Sequence, residues 1–306
     1  MSDGVDKCEG RYFFIVNNKA GGADETGLRA AVEKHLGTAD CDFFIRHKKG
    51  QSRRDAVYRG LDAGYDIIVA AGGDGTVSKV ADELRGTGAR LGIVPLGTAN
   101  LIARSLKIPA DVDAAVRTLL DAPAERRLDA MVTGEKAYFS HVSAGVYSRA
   151  VQLEDSTKKQ RFGRAMYAWN LLRRIRDENA YPFTITLDEQ KWSARSSLLL
   201  LANVGHVGVG QMQWGEGIRP DDGRLDLCVV RGGSMTTFAR MAWQSARGHM
   251  GLTPELIQHA VRRSVKIEGP PDMPIRADGK LIGEGSVEIT LEPAAVRVIT
   301  PDGSEA

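Results

Sequence analysis

Three glycine-bearing loops constrain this chain more than any other feature, because each closes a short apolar run and each precedes a helix-like segment. The first run, Tyr12-Phe13-Phe14-Ile15-Val16, stops at Asn17-Asn18-Lys19-Ala20-Gly21-Gly22. The second, Ile67-Ile68-Val69-Ala70, leads into Gly72-Gly73-Asp74-Gly75-Thr76, and the third, residues 91–94, into Pro95-Leu96-Gly97-Thr98-Ala99-Asn100. Between them Leu28, Val32 and Leu36 recur four apart, residues 53–63, 77–84 and 101–106 read as helices, and residues 41–45 read as a strand. Short apolar strands alternating with helices imply a parallel sheet covered on both faces, which binds ligands outside the carboxyl ends of its strands. All three loops fall at those ends.

After Leu128 the rhythm changes. Residues 137–142, 181–187, 192–202, 225–230, 265–268, 287–291 and 296–299 read as strands, interrupted by two helices near 158–176 and 235–248. Many strands with Gly, Pro and Asp turns predict a β-rich, sandwich-like second domain. The expected organisation is an α/β domain over residues 1–128 and a β-rich domain over 129–306. The length, 306 residues, fits two domains at about 150 residues each. A net charge of +2 gives no general attraction to nucleic acid. Cys8, Cys41 and Cys228 are widely spaced, so neither a disulfide framework nor a CxxC metal site is indicated. No secretory signal opens the chain, and the longest uncharged run, 196–215, is broken by glycine, so it reads as strand and loop rather than a membrane span. A cytoplasmic protein is expected.

The glycine loops carry the chemistry. Glycines at 72, 73 and 75 let the backbone aim N–H groups at an anion, and the helix that follows adds the positive end of its dipole. Asp74 then places a carboxylate beside a polyphosphate, where it contacts magnesium or accepts a proton. Thr98 offers a hydroxyl, Asn100 an N-cap, and Lys19 a cation at the first strand's end. The plainer alternative is a set of tight strand-to-helix turns with Asp74 as a capping residue. Three such loops at one sheet edge favour a nucleotide cradle. Walker A, GxGxxG and GxSxG motifs are absent, and His206 and the other histidines show no zinc-ligand spacing.

In order and spacing these three loops resemble the diacylglycerol kinase catalytic-domain family, which includes bacterial lipid kinases, sphingosine kinases and ceramide kinases. The resemblance extends through residues 203–210, through Arg219-Pro220-Asp221-Asp222-Gly223-Arg224-Leu225-Asp226, and to Ala277-Asp278-Gly279, so it spans nearly the whole chain. It implies a nucleotide-binding α/β domain over 1–128, a β-rich lipid-binding domain over 129–306 and an active cleft between them, in an ATP- and Mg²⁺-dependent kinase that phosphorylates a lipid hydroxyl, diacylglycerol-like or sphingoid. By motif match, Asn17, Asn18, Lys19, Ala20, Gly21, Gly72, Gly73, Asp74, Gly75, Thr76, Val77, Ser78 and Thr98 would contact ATP. Asp222, with backbone near Arg219 and Arg224, would match the magnesium-associated turn, and Asp74 is the candidate catalytic carboxylate.

Departures from the family pattern cluster where chemistry is expected. Leu101 follows Asn100 where many bacterial members carry Asp, Lys79 replaces a Glu, Arg46 a Thr, and Lys280 the acid of a DGE motif. Residues 145–148 likewise lack the family's acid, with Tyr147 in that segment. Glu284, four residues beyond Lys280, is the substitute acid, and Arg46, Lys79 and Lys280 form a candidate phosphate-binding set. These replacements keep a second class open, a noncatalytic nucleotide or lipid sensor, alongside NAD kinase, whose related fold also carries GGDGT. Residues 158–176 hold seven basic side chains and no acid, with Phe162, Met166, Trp169 and Leu172 at helical spacing. That pattern fits either a transient membrane-surface contact or a solvated surface helix. Oligomeric state is open.

Overall fold

The computed structural model describes residues 11–17, 25–36, 41–46, 52–121, 124–145, 148–149, 180–206, 213–215, 217–231 and 256–301. The chain forms two compact units: Met1–Ala130 with Pro220–Asp222 and Glu292–Ala306, and Met131–Arg219 with Gly223–Leu291.

The first unit alternates β1 (Tyr12–Asn17), α1 (Glu25–Leu36), β2 (Cys41–Arg46), α2 (Arg53–Asp62), β3 (Ile67–Gly72), α3 (Asp74–Leu84), β4 (Arg90–Pro95), α4 (Leu101–Ser105) and α5 (Val112–Thr118). The strands lie in the order β2-β1-β3-β4, every pair parallel. Every residue of β3 and all but the last of β1 are buried, which explains why those runs are uninterruptedly apolar. In α3 the buried Val77, Val80, Ala81 and Leu84 follow helical spacing and turn one face to the core. Ser52 caps α2 by accepting from Asp55 N at 3.2 Å. An unexpected helix, α5, begins the same way, with the Asp111 carboxylate accepting from Ala114 N at 2.9 Å.

The second unit is β-rich and sandwich-like. It is built from β6 (Lys136–Tyr138), β7 (His141–Gly145), β8 (Tyr181–Leu187), β9 (Gln190–Ala202), β10 (Leu225–Arg231), β11 (Leu256–Val261), β12 (Ser264–Glu268), β13 (Pro274–Ala277) and β14 (Lys280–Glu284), with parts of β5 (Ala124–Thr133) and β15 (Ser286–Thr300). Its strand pairs are antiparallel. The long β9 changes partners along its length: residues 190–196 pair with β8, residues 198–202 with β7, and Ser196 with residues 198–202 also pair with β10. One apolar core collects alternate residues of these strands, including Leu199, Leu201, Leu227, Ile267, Ile275 and Ile289.

A single cut at 128/129 does not describe these units, because the chain returns to the first one twice. Residues 287–291 and 296–299 are not two strands but one, β15. Its interior holds Pro293, which lacks an N–H, and Ala294 at φ 54°. Ala294 N donates instead to the buried Asp129 carboxylate at 2.7 Å, so the strand continues and pairs in parallel with β4 at residues 297–298. The expected strand at 137–142 divides into β6 and β7, and β5, β11, β13 and β14 were not anticipated. The predicted helices near 158–176 and 235–248 lie outside the described residues.

Candidate functional site

The sheet order 2-1-3-4 places a topological switch point between β1 and β3, and the three glycine loops leave the strands at that edge. Parallel register aligns Gly72 with Pro95, and Leu96 N donates to Gly72 O at 3.0 Å, so the second and third loops start side by side. They then touch backbone to backbone. A Cβ on Gly97 would sit 2.5 Å from Gly73 Cα and 2.6 Å from Asn100 Oδ1, and a Cβ on Gly73 would lie 3.1 Å from Gly97 Cα. Glycine at 97 is therefore a steric requirement, and Gly73 leaves only a few tenths of an ångström to spare.

Gly73 is the N-cap of α3 and brings no side chain to cap it. Its carbonyl accepts from Thr76 N at 2.7 Å and Val77 N at 3.2 Å, closing the first turn. Helix N-terminal amides uncapped by a side chain are suited to an anion. Thr76, Val77 and Ser78 are buried. Thr98 is exposed at the tip of its loop.

Asn100 departs from its expected capping role. It sits in the left-handed region at φ 47° and makes no side-chain cap bond. Its amide instead closes the loop on itself: Gly97 N donates to Asn100 Oδ1, and Asn100 Nδ2 donates to Gly97 O, each at 2.9 Å. The cap of α4 is supplied by Asp74, whose Oδ1 accepts from Ile102 N at 3.0 Å. Asp74 thus fastens the third loop's helix to the second loop.

At the end of β1, Asn17 Oδ1 is buried with no hydrogen-bond partner among the described residues. A buried acceptor in this condition is costly, and a ligand donor such as a ribose hydroxyl or an amino group would satisfy it. Arg46 ends β2 directly beside Asn17 in the parallel register. Asn17, Arg46, Gly72, Gly73 and Thr98 thus belong to strand ends and loops at one sheet edge. Asn18, Lys19, Ala20 and Gly21 lie outside the described residues. Lys79 is exposed on α3.

The 219–224 turn is anchored by two residues that sequence reasoning missed. Asp129 N donates to Pro220 O at 2.7 Å, and Arg126 forms an ion pair with Asp221. The available signal was Asp129 itself, a lone acid within the apolar run Leu128 to Val132. Asp222 is exposed, while Arg224 reaches Gly217 O at 3.1 Å and lies 3.9 Å from the buried Asp226. Among the described residues no three of His, Cys, Asp and Glu converge as a metal cage. Magnesium that accompanies a nucleotide takes one or two carboxylates plus phosphate oxygens, a demand that Asp222 fits.

In the second unit, Asp278 and Gly279 form the turn between β13 and β14. The Asp278 carboxylate accepts from Phe139 N at 3.1 Å, Ser140 N at 2.9 Å and Ser140 Oγ at 2.6 Å. It is a structural latch. Desolvation of the adjacent His141 ring, opposed by the Asp278 charge, holds the imidazole pKa below its ordinary value. Lys280 and Glu284 occupy opposite ends of β14, paired with Ala277 and Pro274. Those partners are three residues apart on β13, so Lys280 and Glu284 project from opposite faces.

Comparison with known proteins bears on the whole chain. Residues 11–132 match the diacylglycerol kinase catalytic domain, and residues 140–300 match the YegS C-terminal NAD kinase beta sandwich-like domain. A Pseudomonas aeruginosa protein named "Probable lipid kinase YegS-like" is 28% identical over 296 residues, covering 96% of this chain and 95% of its own. A Staphylococcus epidermidis "Diacylglycerol kinase" is 25% identical, covering 79% and 77%. A Synechocystis relative, 26% identical, matches 78% of this chain, which spans 55% of that longer protein. A crystal structure of a diacylglycerol kinase from Bacillus anthracis superposes with a TM-score of 0.72 at 20% identity, covering 96% and 98%, a likeness of fold.

Proposed function

This chain belongs to the diacylglycerol kinase catalytic-domain family that carries a YegS-type C-terminal domain, and from that premise we propose that it transfers the γ-phosphoryl group of ATP to a lipid hydroxyl. Kinases of this family use ATP. The observation that carries the nucleotide assignment is the buried Asn17 Oδ1 at the switch point, unpartnered among the described residues. In this proposal residues 17–21 and Thr98 surround the nucleotide, and the amides that open α3 face its phosphates. Arg46 and Lys79 supply positive charge. Mg²⁺, bound with ATP beside Asp222 and the backbone near Arg219 and Arg224, would neutralise phosphate charge. Phosphoryl transfer asks the protein mainly for alignment and charge compensation, together with a carboxylate for the acceptor hydroxyl. Asp74 is that carboxylate in our proposal, and it also holds α4.

The two roles of Asp74 separate in Asp74→Asn, which keeps the oxygen that accepts from Ile102 N and removes the charge. The test is transfer of labelled γ-phosphate to diacylglycerol, monoacylglycerol, sphingosine, ceramide and phosphatidylglycerol in mixed micelles with magnesium. Transfer by the wild type and its loss in a folded, ATP-binding Asp74→Asn is the expected result. Phosphorylation of NAD instead of lipid would assign the protein to NAD kinase chemistry. Lys280 favours a second reading, a noncatalytic binder, because it stands where the family's DGE motif carries an acid. ATP binding without transfer to any acceptor would establish that reading. A peripheral membrane contact through the basic residues of 158–176 belongs to the proposal as well. Loss of binding to anionic vesicles in Arg173→Ser, Arg174→Ser and Arg176→Ser together tests it.

A further inference from the structure

The second unit contains a cavity of about 910 Å³ whose lining includes none of the residues assigned above to the nucleotide or to phosphoryl transfer. It opens on the side of the sandwich where β11 pairs with β10 alone among the described strands. The β8–β9 turn and the β11–β12 turn border it. Its size is that of sites which hold small molecules.

The wall and the rim differ in chemistry. Leu187, Trp192 and Ile257 line it and pack against the buried core, so the wall is an apolar surface continuous with the interior. His259 stands beside Trp192, ring centroids 5.1 Å apart and planes inclined at 46°. The rim carries Arg231, Arg262 and Arg263. Two acids share it. The Asp188 carboxylate accepts the backbone N–H groups of Arg262, Arg263 and Ser264 at 3.3, 2.8 and 3.0 Å, so it is engaged with the turn. Glu189 pairs loosely with Arg263 at 3.5 Å, and both side chains are exposed. Among the described residues no carboxylate pairs with Arg231 or Arg262. The guanidinium fork is matched to carboxylate and phosphate oxygens.

We propose that this cavity binds an anionic amphiphile: a single acyl chain along Leu187, Trp192 and Ile257, with a phosphate or carboxylate headgroup at Arg231 and Arg262. The site is built wholly from residues of the second unit and includes none of the glycine loops. It adds to the kinase assignment and holds whichever acceptor that kinase phosphorylates.

The test titrates the full chain, without nucleotide, with oleoyl lysophosphatidate below its micelle concentration. Tryptophan fluorescence and calorimetry follow binding, and oleate, oleoyl lysophosphatidylcholine and inorganic phosphate are run in parallel. The chain has four tryptophans, so Trp192→Phe isolates the local signal. Expected is saturable binding whose fluorescence change vanishes in Trp192→Phe and whose affinity falls roughly tenfold in Arg231→Ala and in Arg262→Ala. Both arginines are exposed, so these variants fold. Oleate binding at the same site supports recognition of either anionic head, and binding of lysophosphatidate alone narrows the ligand to phosphate. Equal affinity for lysophosphatidylcholine would overturn the charge assignment, and equal affinity for inorganic phosphate would overturn the apolar one. Unchanged binding in both arginine variants would remove the ligand from this cavity. Asp74→Asn is expected to bind like the wild type, and loss of binding there would assign the amphiphile to the kinase site instead.

Discussion

Each unit contains an Asp-Gly turn that sequence marks as chemistry, and the two turns employ their carboxylates differently. Asp74-Gly75 begins a helix at the end of a parallel strand. There the backbone N–H groups project beyond the sheet edge, and Asp74 Oδ1 accepts from the start of the neighbouring helix. Asp278-Gly279 joins two antiparallel strands, with φ of 47° and 76°, the left-handed pair that a tight hairpin requires. That hairpin closes on itself, and both Asp278 oxygens tie the β6–β7 connection at Phe139 and Ser140. A parallel-strand end leaves polar backbone for a ligand, whereas a hairpin end consumes its polar groups internally. The same dipeptide therefore marks a binding edge in one unit and a structural latch in the other.

The largest expected effect tests the latch. Asp278→Ala would strip three backbone amides (Phe139, Ser140 and His141) and a hydroxyl of a charged acceptor, at a cost of about 3 kcal/mol. Urea unfolding of the full chain measures it, and a loss under about 1 kcal/mol would show that water replaces the carboxylate. Next is Gly97→Ala, which forces a methyl into the Gly73 backbone. Overpacking of this kind costs about 1–3 kcal/mol, and nucleotide binding should disappear with it. Gly75→Ala is the contrast, because a Cβ there meets none of the described residues within 4 Å. It should be neutral or stabilise by about 0.5 kcal/mol through helix propensity. Equal damage from both substitutions would mean that the Gly73–Gly97 approach is not what shapes the edge.

How much of this was legible in the sequence depended on whether local or distant contacts decided the outcome. The α/β rhythm was legible because β1 and β3 are buried on both faces and contain nothing but apolar residues before their loops. The glycine loops were legible as a group, but the partner of Asp74 was not, since Ile102 lies 28 residues away. Asn100 looked like a cap from its place before a helix. Its amide closes on Gly97 because the left-handed backbone at 100 turns it back into the loop. β13 and β14 escaped notice because each is short and their apolar alternation is interrupted by a register shift beside Arg276. β15 read as two strands because Pro293 breaks the pattern, and only the distant Asp129 shows why the strand survives.

A pH titration sharpens the latch further. The depressed pKa of His141 means that its ring stays neutral in the native state at pH values where the unfolded chain has begun to bind a proton. Stability should therefore fall as pH drops below the unfolded value of about 6.5, down toward the lowered native pKa. His141→Gln should flatten that part of the profile. An unchanged slope would place the acid sensitivity elsewhere, away from the Asp278 latch.

The smallest effect belongs to the first unit, where Arg297 holds Glu125 through two bonds at 2.6 and 2.7 Å and reaches Gly88 O at 3.2 Å. This pair ties β5 to the end of β15. The bonded guanidinium lowers the Glu125 pKa, so its contribution is present above the ordinary carboxylate value and lost as pH falls through the lowered one. The side chains are 32% and 42% exposed, so solvent screens much of the attraction. A double-mutant cycle with Glu125→Gln and Arg297→Met should give a coupling below about 1 kcal/mol, shrinking further in high salt. A coupling several times larger would show that this exposed fork fastens the end of β15 as firmly as Asp278 fastens its hairpin. The contrast would then lie in what each unit leaves open to ligands, rather than in how strongly each is tied.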